Sequence, residues 1–349
     1  MAKTRLLVIA GGQSEEHQVS LSSANSVIEG LADSDISVST TVISKDGHWL
    51  DPASSLKVLR GEPVETSERD SASSFISRCT EFDVVFPLVH GTTGEDGLLQ
   101  GFLQMLGLPY IGCGVLASAV CMDKPLFKDI AKTHSLPQSK YICFEKGQFE
   151  MGAQQLFDKV QEELSPPWII KPASLGSSIG IVKVQEESRL EMAFAEAFKH
   201  DRRILVEEAV TNLWELEVGV LGNDAPRASV VGRTGSDTGV WDYKSKYEGS
   251  DPIMHVPADV PSHIAEVCRS TALDAYRIYG CAGFARIDFL YDYSSGKVLL
   301  NEINTLPGLT KTSMFLRLWE SEGMSCGALV QELMRLSVNS TRNHDTIAS

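Results

Sequence analysis

The sequence predicts an α/β unit followed by units of mixed α+β character, and three observations carry that prediction. Short apolar strands alternate with helical patterns over the first third of the chain. A Gly/Ser-rich hairpin sits between two strands near its middle. Two strands near the end carry polar residues at every second position. Alternating strands and helices imply a largely parallel sheet, whereas a hairpin flanked by strands implies antiparallel pairing.

The first unit opens with a strand at 5–10 that runs into Gly11-Gly12, then an amphipathic helix from about Ser20 to Leu31. A strand follows at 39–44. Residues 51–80, polar and weakly periodic, read as a surface excursion. DVVFPLV (83–89) is a buried strand that ends in the loop His90–Gly97. A helix at 100–106 and a short strand and turn at 108–112 close the unit.

The second unit begins at Met122-Asp123-Lys124. It holds a helix at 124–134, a strand at 140–144, a helix at 152–163 ended by Pro166-Pro167, and a strand at 168–171. The hairpin Pro172–Gly180 leads to a strand at 181–184, a helix at 187–199 and a strand at 204–207. The third unit starts with a strand at 216–221. Residues 232–251 show neither helical nor strand period. A helix at 261–279, strands at 283–290 and 298–303, a Gly-Pro loop to Thr312 and a last helix near 325–337 complete it. The expected division is therefore 1–120, 121–210 and 211–349. A chain of 349 residues exceeds what one hydrophobic core usually supports.

Composition narrows the function. With 31 Lys+Arg against 46 Asp+Glu, the net charge of −15 repels phosphate backbones and anionic membranes on average. Any phosphate site must be a local cluster of Lys, Arg and N–H groups. No stretch approaches the roughly 20 apolar residues that span a bilayer, and the apolar run at 6–10 is shorter than a signal peptide's core and reads as a strand. The seven cysteines form no C-x-x-C pair, which suits reduced thiols in the cytoplasm.

Several constellations carry chemistry. In KPASLGSSIG (171–180) a lysine closes a buried strand and glycines allow close backbone approach, a pattern that suits a phosphate lid or a flexible hairpin tip. It is not a G-x-x-x-x-G-K loop. Arg286 and Asp288, and likewise Glu302 and Asn304, stand two apart on their strands, so each pair shares a face. Two carboxylates and an amide facing one another would hold one or two Mg²⁺; the other reading is a solvated strand face. Gly308, with Arg286, offers a donor pair for a carboxylate or a developing oxyanion, or simply a turn. His90 lies at the carboxyl end of a parallel strand, where ligands bind in open α/β sheets, or stabilises its loop. Glu16 suits either a substrate ammonium or the dipole of the helix that follows. Trp241–Tyr247 suits a lid over an anionic substrate, or an exposed loop.

Taken together, GGQSEEHQVSLSSA (11–24), VHGTTGEDGLLQG (89–101), MDK (122–124), KPASLGSSIG (171–180), DYKSKY (242–247), ARID (285–288) and NEINTLPG (301–308) resemble the D-alanine:D-alanine ligases of the ATP-grasp superfamily. The resemblance spans roughly 5–337. It implies an ATP-grasp fold with a Rossmann-like parallel-sheet domain at the N-terminus. It also implies ATP-dependent joining of two D-alanines through an acyl phosphate, giving D-alanyl-D-alanine for peptidoglycan. A relative with a D-serine or other acceptor, or a nucleotide-binding sensor without turnover, are the alternative readings.

The roles that follow from the resemblance are these. Lys124, Lys171 and Ser178 would contact ATP, Glu215 its ribose, and Glu207 or Glu208 the adenine edge. Asp288, Glu302 and Asn304 would bind two Mg²⁺, with Mn²⁺ as a substitute. Glu16 would hold the first substrate's ammonium, with His90 nearby. Arg286 and the Gly308 N–H would stabilise the oxyanion. Ser177 and Tyr247 would join Glu16 in a lid-closing triad. Lys246 and Ser313 would hold the second substrate's carboxylate. A cytoplasmic homodimer is implied, with D-alanine and ATP as partners and neither nucleic acid nor membrane. Gln18, Arg233-Thr234 and Trp241 depart from the family pattern, and they bear on acceptor preference and lid dynamics.

Overall fold

The protein is described from a computed structural model, which covers residues 3–64, 72–176, 179–235 and 253–345. Among these residues, twelve strands build three sheets. In the first, β1 (Thr4–Gly11) pairs in parallel with β2 (Ile36–Ile43) and with β3 (Val84–Pro87), giving the order β2-β1-β3. A parallel bridge from Val85 to Tyr110 extends it by one short segment. β1 lacks alternation because its run from Leu6 to Ala10 is covered on both faces, as expected of a central parallel strand.

The second sheet is antiparallel: β4 (Tyr141–Glu145), β5 (Trp168–Pro172), β6 (Val182–Val184) and β7 (Arg203–Glu208), in the order β4-β7-β5-β6. Helices Lys146–Glu163 and Leu190–Ala197 cover one face and share a core with Ile142, Trp168, Ile170 and Val206. The third sheet is also antiparallel: β8 (Leu213–Leu221), β9 (Arg227–Thr234), β10 (Met254–His255), β11 (Phe284–Asp292) and β12 (Lys297–Asn304), in the order β10-β9-β8-β11-β12. The two faces of this sheet divide the work. Leu216, Val218, Val220, Ile287 and Leu300 pack against helix Ser262–Ile278 on one side. The charged positions stand on the other.

That second face is built for close approach. A Cβ at Gly219 would lie 2.9 Å from Trp319 Nε1, and one at Gly232 would lie 2.5 Å from Met314 Sδ. Their bare backbone lets helix Met314–Ser321 lie directly on the sheet, which brings the loop ahead of that helix to the charged residues.

Three segments differ from the sequence reading. Residues 51–80 are not a plain surface excursion. Asp51 accepts hydrogen bonds from the Ala53 and Ser54 N–H groups (2.9 and 3.2 Å) and, with Pro52 following, starts a helix at Pro52–Leu59. A second helix, Ala72–Cys79, sets buried Phe75 against Trp49. Between the short strand and turn at 108–112 and the start of the second unit, where no element was expected, a helix runs over Val115–Met122. β9 stands where no strand was expected. The last helix, Cys326–Asp345, packs its Leu329, Val330 and Leu333 into the core of the first sheet beside Leu6 and Val8.

Candidate active site

Four loops and two sheet faces meet in one region. The loop after β3 and the loop after β12 are tied through His90, which is 3% exposed. Its Nδ1 lies 3.1 Å from the Leu306 carbonyl and 3.4 Å from Glu95 Oε1, and its Nε2 lies 3.2 Å from Ser23 Oγ. The Leu309 N–H donates to the same Ser23 oxygen at 3.1 Å. Burial opposes a proton on His90, but the Glu95 carboxylate and the charge of Glu16 outweigh it and raise the pKa of the ring. Burial likewise raises Glu95.

Glu16 is half-buried at the start of helix His17–Gly30, and its side chain makes no capping hydrogen bond there. Its carboxylate lies instead against Gly91 on one side and near Gly176 on the other, so that a Cβ at either would come within 2.9 and 3.9 Å of Oε2. The β3 loop and the base of the glycine hairpin thus meet at one acidic side chain. Gly308 and Ser313 are neighbours: a Cβ on Gly308 would sit 2.9 Å from Ser313 Oγ, which also accepts from the Thr310 N–H at 3.0 Å. Gln18 is exposed.

A buried ion cluster lies on the second sheet. Glu207, on β7, is 4% exposed and pairs with both Lys128 and Lys171. Burial alone would raise its pKa, but the two ammonium groups dominate and hold it at about 2. Glu208 turns to the opposite face, as the strand period requires, where it accepts from the Ser165 N–H at 2.9 Å and faces Lys140 at 3.5 Å. Lys124 opens helix Lys124–Thr133 behind the Asp123 cap and donates to the Leu175 carbonyl in the hairpin. Burial lowers its pKa, Glu302 acts in the opposite sense, and Lys171 adds to the lowering. Lys128 stands one turn further along the same helix, and burial lowers it as well.

The third sheet brings the acidic partners. Asp288 lies opposite Glu302 on β12 and opposite Glu217 on β8, and Arg286 lies opposite Asn304 and Gly219, so all share one face. Arg286 grips Asp288 with Nε and Nη2, both at 2.7 Å, and Nε also lies 2.8 Å from Glu217 Oε2. Asn304 Nδ2 donates to Asp288 at 2.9 Å. Burial, joined by the Glu217 and Glu302 charges, pushes the Asp288 carboxyl up to about 7 despite Arg286. Glu215 lies half-buried on β8, paired in register with Thr234 and Leu290. Arg233 is buried, its guanidinium 4.5 Å over the Trp214 ring.

Asp288, Glu302 and Asn304 form a set of hard oxygen donors on adjacent strands with an excess of negative charge. That donor chemistry fits Mg²⁺ or Mn²⁺, which prefer carboxylates completed by phosphate oxygens and water. No group of three or more His, Cys, Asp or Glu suited to a metal occurs among the described residues, so the carboxylate pair and the amide would need oxygens from a bound substrate.

The expected residues Glu16, His90, Lys124, Lys171, Glu207, Arg286, Asp288, Glu302, Asn304, Gly308 and Ser313 therefore lie in or along the loops and faces just described. Ser177, Ser178, Lys246 and Tyr247, together with Trp241, fall outside the described residues. Sequence reasoning missed Lys128, Glu95 and Glu217. Lys128 had a signal in its i, i+4 spacing from Lys124, and Glu217 in its period-2 spacing from Glu215 on an otherwise apolar strand.

Among the described residues, no helix is long and apolar enough to cross a membrane. The family models "D-ala D-ala ligase N-terminus" and "D-ala D-ala ligase C-terminus" match residues 5–113 and 130–335. The D-alanine–D-alanine ligase of Deinococcus radiodurans is 42% identical over 340 residues, covering 96% of this chain and 99% of that protein. That of Acetivibrio thermocellus is 39% identical over 362 residues, with 96% of each covered. Among solved structures, the D-alanine–D-alanine ligase of Coxiella burnetii matches with a TM-score of 0.81 at 31% identity, covering 100% of this chain and 97% of that one. The VanG D-Ala:D-Ser ligase of Enterococcus faecalis matches with a TM-score of 0.83 at 31% identity, covering 96% and 99%.

Proposed function

The chain belongs to the D-ala D-ala ligase family, with its ATP-grasp fold, and from that premise we propose that it uses ATP to join two D-alanines into D-alanyl-D-alanine for peptidoglycan precursors. The observation that carries this reading is the meeting of a cationic cluster (Lys124, Lys128, Lys171) with an anionic one (Asp288, Glu302) beside Arg286 and the Gly308 loop. Nucleotide phosphates and a divalent cation need those two charge signs side by side.

A carboxylate is a poor electrophile. Transfer of the γ-phosphoryl group to the first D-alanine gives an acyl phosphate, and the amine of the second D-alanine then attacks its carbonyl and releases phosphate. Such chemistry depends mainly on positioning and charge neutralisation. Glu16 binds the first ammonium, with His90 and Glu95 fixing the loop beside it. Lys124 and Lys171 bind the ATP phosphates, Glu207 faces the adenine side and Glu215 the ribose. Arg286 and the Gly308 N–H receive the charge that develops on the reacting carbonyl oxygen, and Ser313 meets the acceptor's carboxylate. Ser177, Ser178, Lys246 and Tyr247 keep the lid and acceptor roles that the family resemblance implies. Asp288, Glu302 and Asn304 would hold Mg²⁺, which when bound neutralises phosphate charge.

We assign residues 1–120 to the first substrate, 121–210 to the nucleotide, and 211–349 to the metal and acceptor. The enzyme acts in the cytoplasm as a homodimer. Leu98, Met105 and Leu116 (65, 89 and 76% exposed) crowd the neighbouring helices Leu98–Met105 and Val115–Met122, an apolar patch that suits a second copy.

The test is phosphate release by the purified protein with ATP, Mg²⁺ and D-alanine, products weighed by mass spectrometry, with D-serine and D-lactate offered in competition. D-alanyl-D-alanine should dominate. A different acceptor in the main product, or ATP binding without phosphate release, overturns the assignment.

A further inference from the structure

Glu217 is a carboxylate 7% exposed, set between Leu216 and Val218 on a strand whose other face is core. A charge at that depth is retained only where it is paired. Both its oxygens are engaged: Oε2 with Arg286 Nε at 2.8 Å, and Oε1 with the Thr234 hydroxyl, which donates to it. Arg286 is thus held along its Nε edge from two sides, by Glu217 and by Asp288, which leaves Nη1 without an acceptor among the described residues. The two anchors are unequal. Asp288 also takes a hydrogen bond from Asn304 and stands opposite Glu302, so its grip on Arg286 is shared with other duties. Beyond Arg286, Glu217 has only the neutral Thr234 hydroxyl among the contacts described.

We infer that Glu217 is a positioning residue for the ligation. It fixes Arg286 through Nε, so the outer edge of the guanidinium stays aimed at the reacting carboxylate whatever Asp288 binds. This rests on the ligase reading of the site. The Thr234 hydroxyl fixes Glu217 in turn, and the register of β8 against β9 and β11 fixes all three. An electrostatic donor helps only if it is already oriented when charge develops. Losing Glu217 therefore costs rate rather than substrate affinity.

The test is a double-mutant cycle read by steady-state kinetics. Glu217→Gln should lower kcat about 30-fold, as for loss of one close charge pair, and leave KM for ATP and D-alanine within about 3-fold. Thr234→Val, which keeps the carboxylate, should move kcat the same way by about 3-fold. In an Arg286→Met background, Glu217→Gln should add less than about 2-fold, because the residue it positions is gone. Glu217→Asp should recover part of the loss. Equal losses in both backgrounds, or an unchanged kcat in Glu217→Gln, overturn the inference. So does a loss of activity matched by a fall in melting temperature and not recovered by Glu217→Asp. If the wild-type enzyme itself forms no dipeptide, the ligase reading fails and this inference falls with it. If the wild type is active and the cycle is additive, only the role of Glu217 fails.

Discussion

The second and third sheets both carry buried charges toward the site, and their surpluses have opposite sign. On the second sheet, two lysines, Lys128 and Lys171, surround one carboxylate, Glu207. On the third, one guanidinium, Arg286, faces the carboxylates of Glu217, Asp288 and Glu302. In each arrangement the minority charge is paired with partners of opposite sign, which lowers the cost of burying it. What remains, counted formally, differs: one positive charge on the second sheet and two negative charges on the third. The first suits phosphate oxygens, the second a divalent cation. A nucleotide carrying its metal matches both only where the sheets meet, and Lys124, which responds to Glu302 and to Lys171, sits at that junction.

The largest effect should come from removing a charge on the anionic side. Glu302→Gln is expected to cut turnover by about 10²-fold or more with little change in the thermal melt, checked by dipeptide formation across a Mg²⁺ titration. Wild-type activity at limiting Mg²⁺ would break the division between the sheets. On the cationic side the same kind of change should act on stability as well. Lys128→Met leaves buried Glu207 with a single partner and should destabilise by about 3 kcal/mol, with a higher KM for ATP; urea denaturation and nucleotide titration read the two.

pH sharpens the contrast. Glu207 is held at about 2 in the folded protein against an ordinary 4.5. A depressed carboxylate adds stability above its unfolded pKa and loses it as pH falls toward the folded one. Wild-type stability should therefore drop between about pH 4.5 and 2. Glu207→Gln should be less stable at neutral pH but show a shallower fall over that window, followed by denaturant midpoints. The smallest effect belongs to an exposed pair on the same unit. Lys159→Ala, which breaks an i, i+4 contact of 3.9 Å with Glu163, should change stability by less than about 0.5 kcal/mol.

The anionic side was the more legible in the sequence. Strand period alone puts Arg286 with Asp288 and Glu302 with Asn304, and the β11–β12 register then sets the pairs opposite one another. Glu217 shows only that it shares a face with Glu215; its pairing with Arg286 was not legible, because nothing local says that β8 lies beside β11. Lys128 and Glu207 are paired by a helix crossing a sheet, which no local spacing encodes. The parallel first sheet follows from its apolar runs, whereas the helix at Pro52–Leu59 is hidden by the weak period of its polar stretch, although Asp51-Pro52 is a start signal in its own right. β9 was hidden because RASVVGRT breaks strict alternation around a register shift between Val218 and Val220 on its partner.

The last helix has a consequence in time. Leu329, Val330 and Leu333 complete a core whose other members include Leu6, Val8 and Ala24, which are made well before them. Chains emerge from the ribosome N-terminus first. The first sheet must wait, one apolar face incomplete, until both internal sheets have been synthesised. The two internal sheets carry cores of their own and can settle earlier. The sheet made before the other two is thus finished after them.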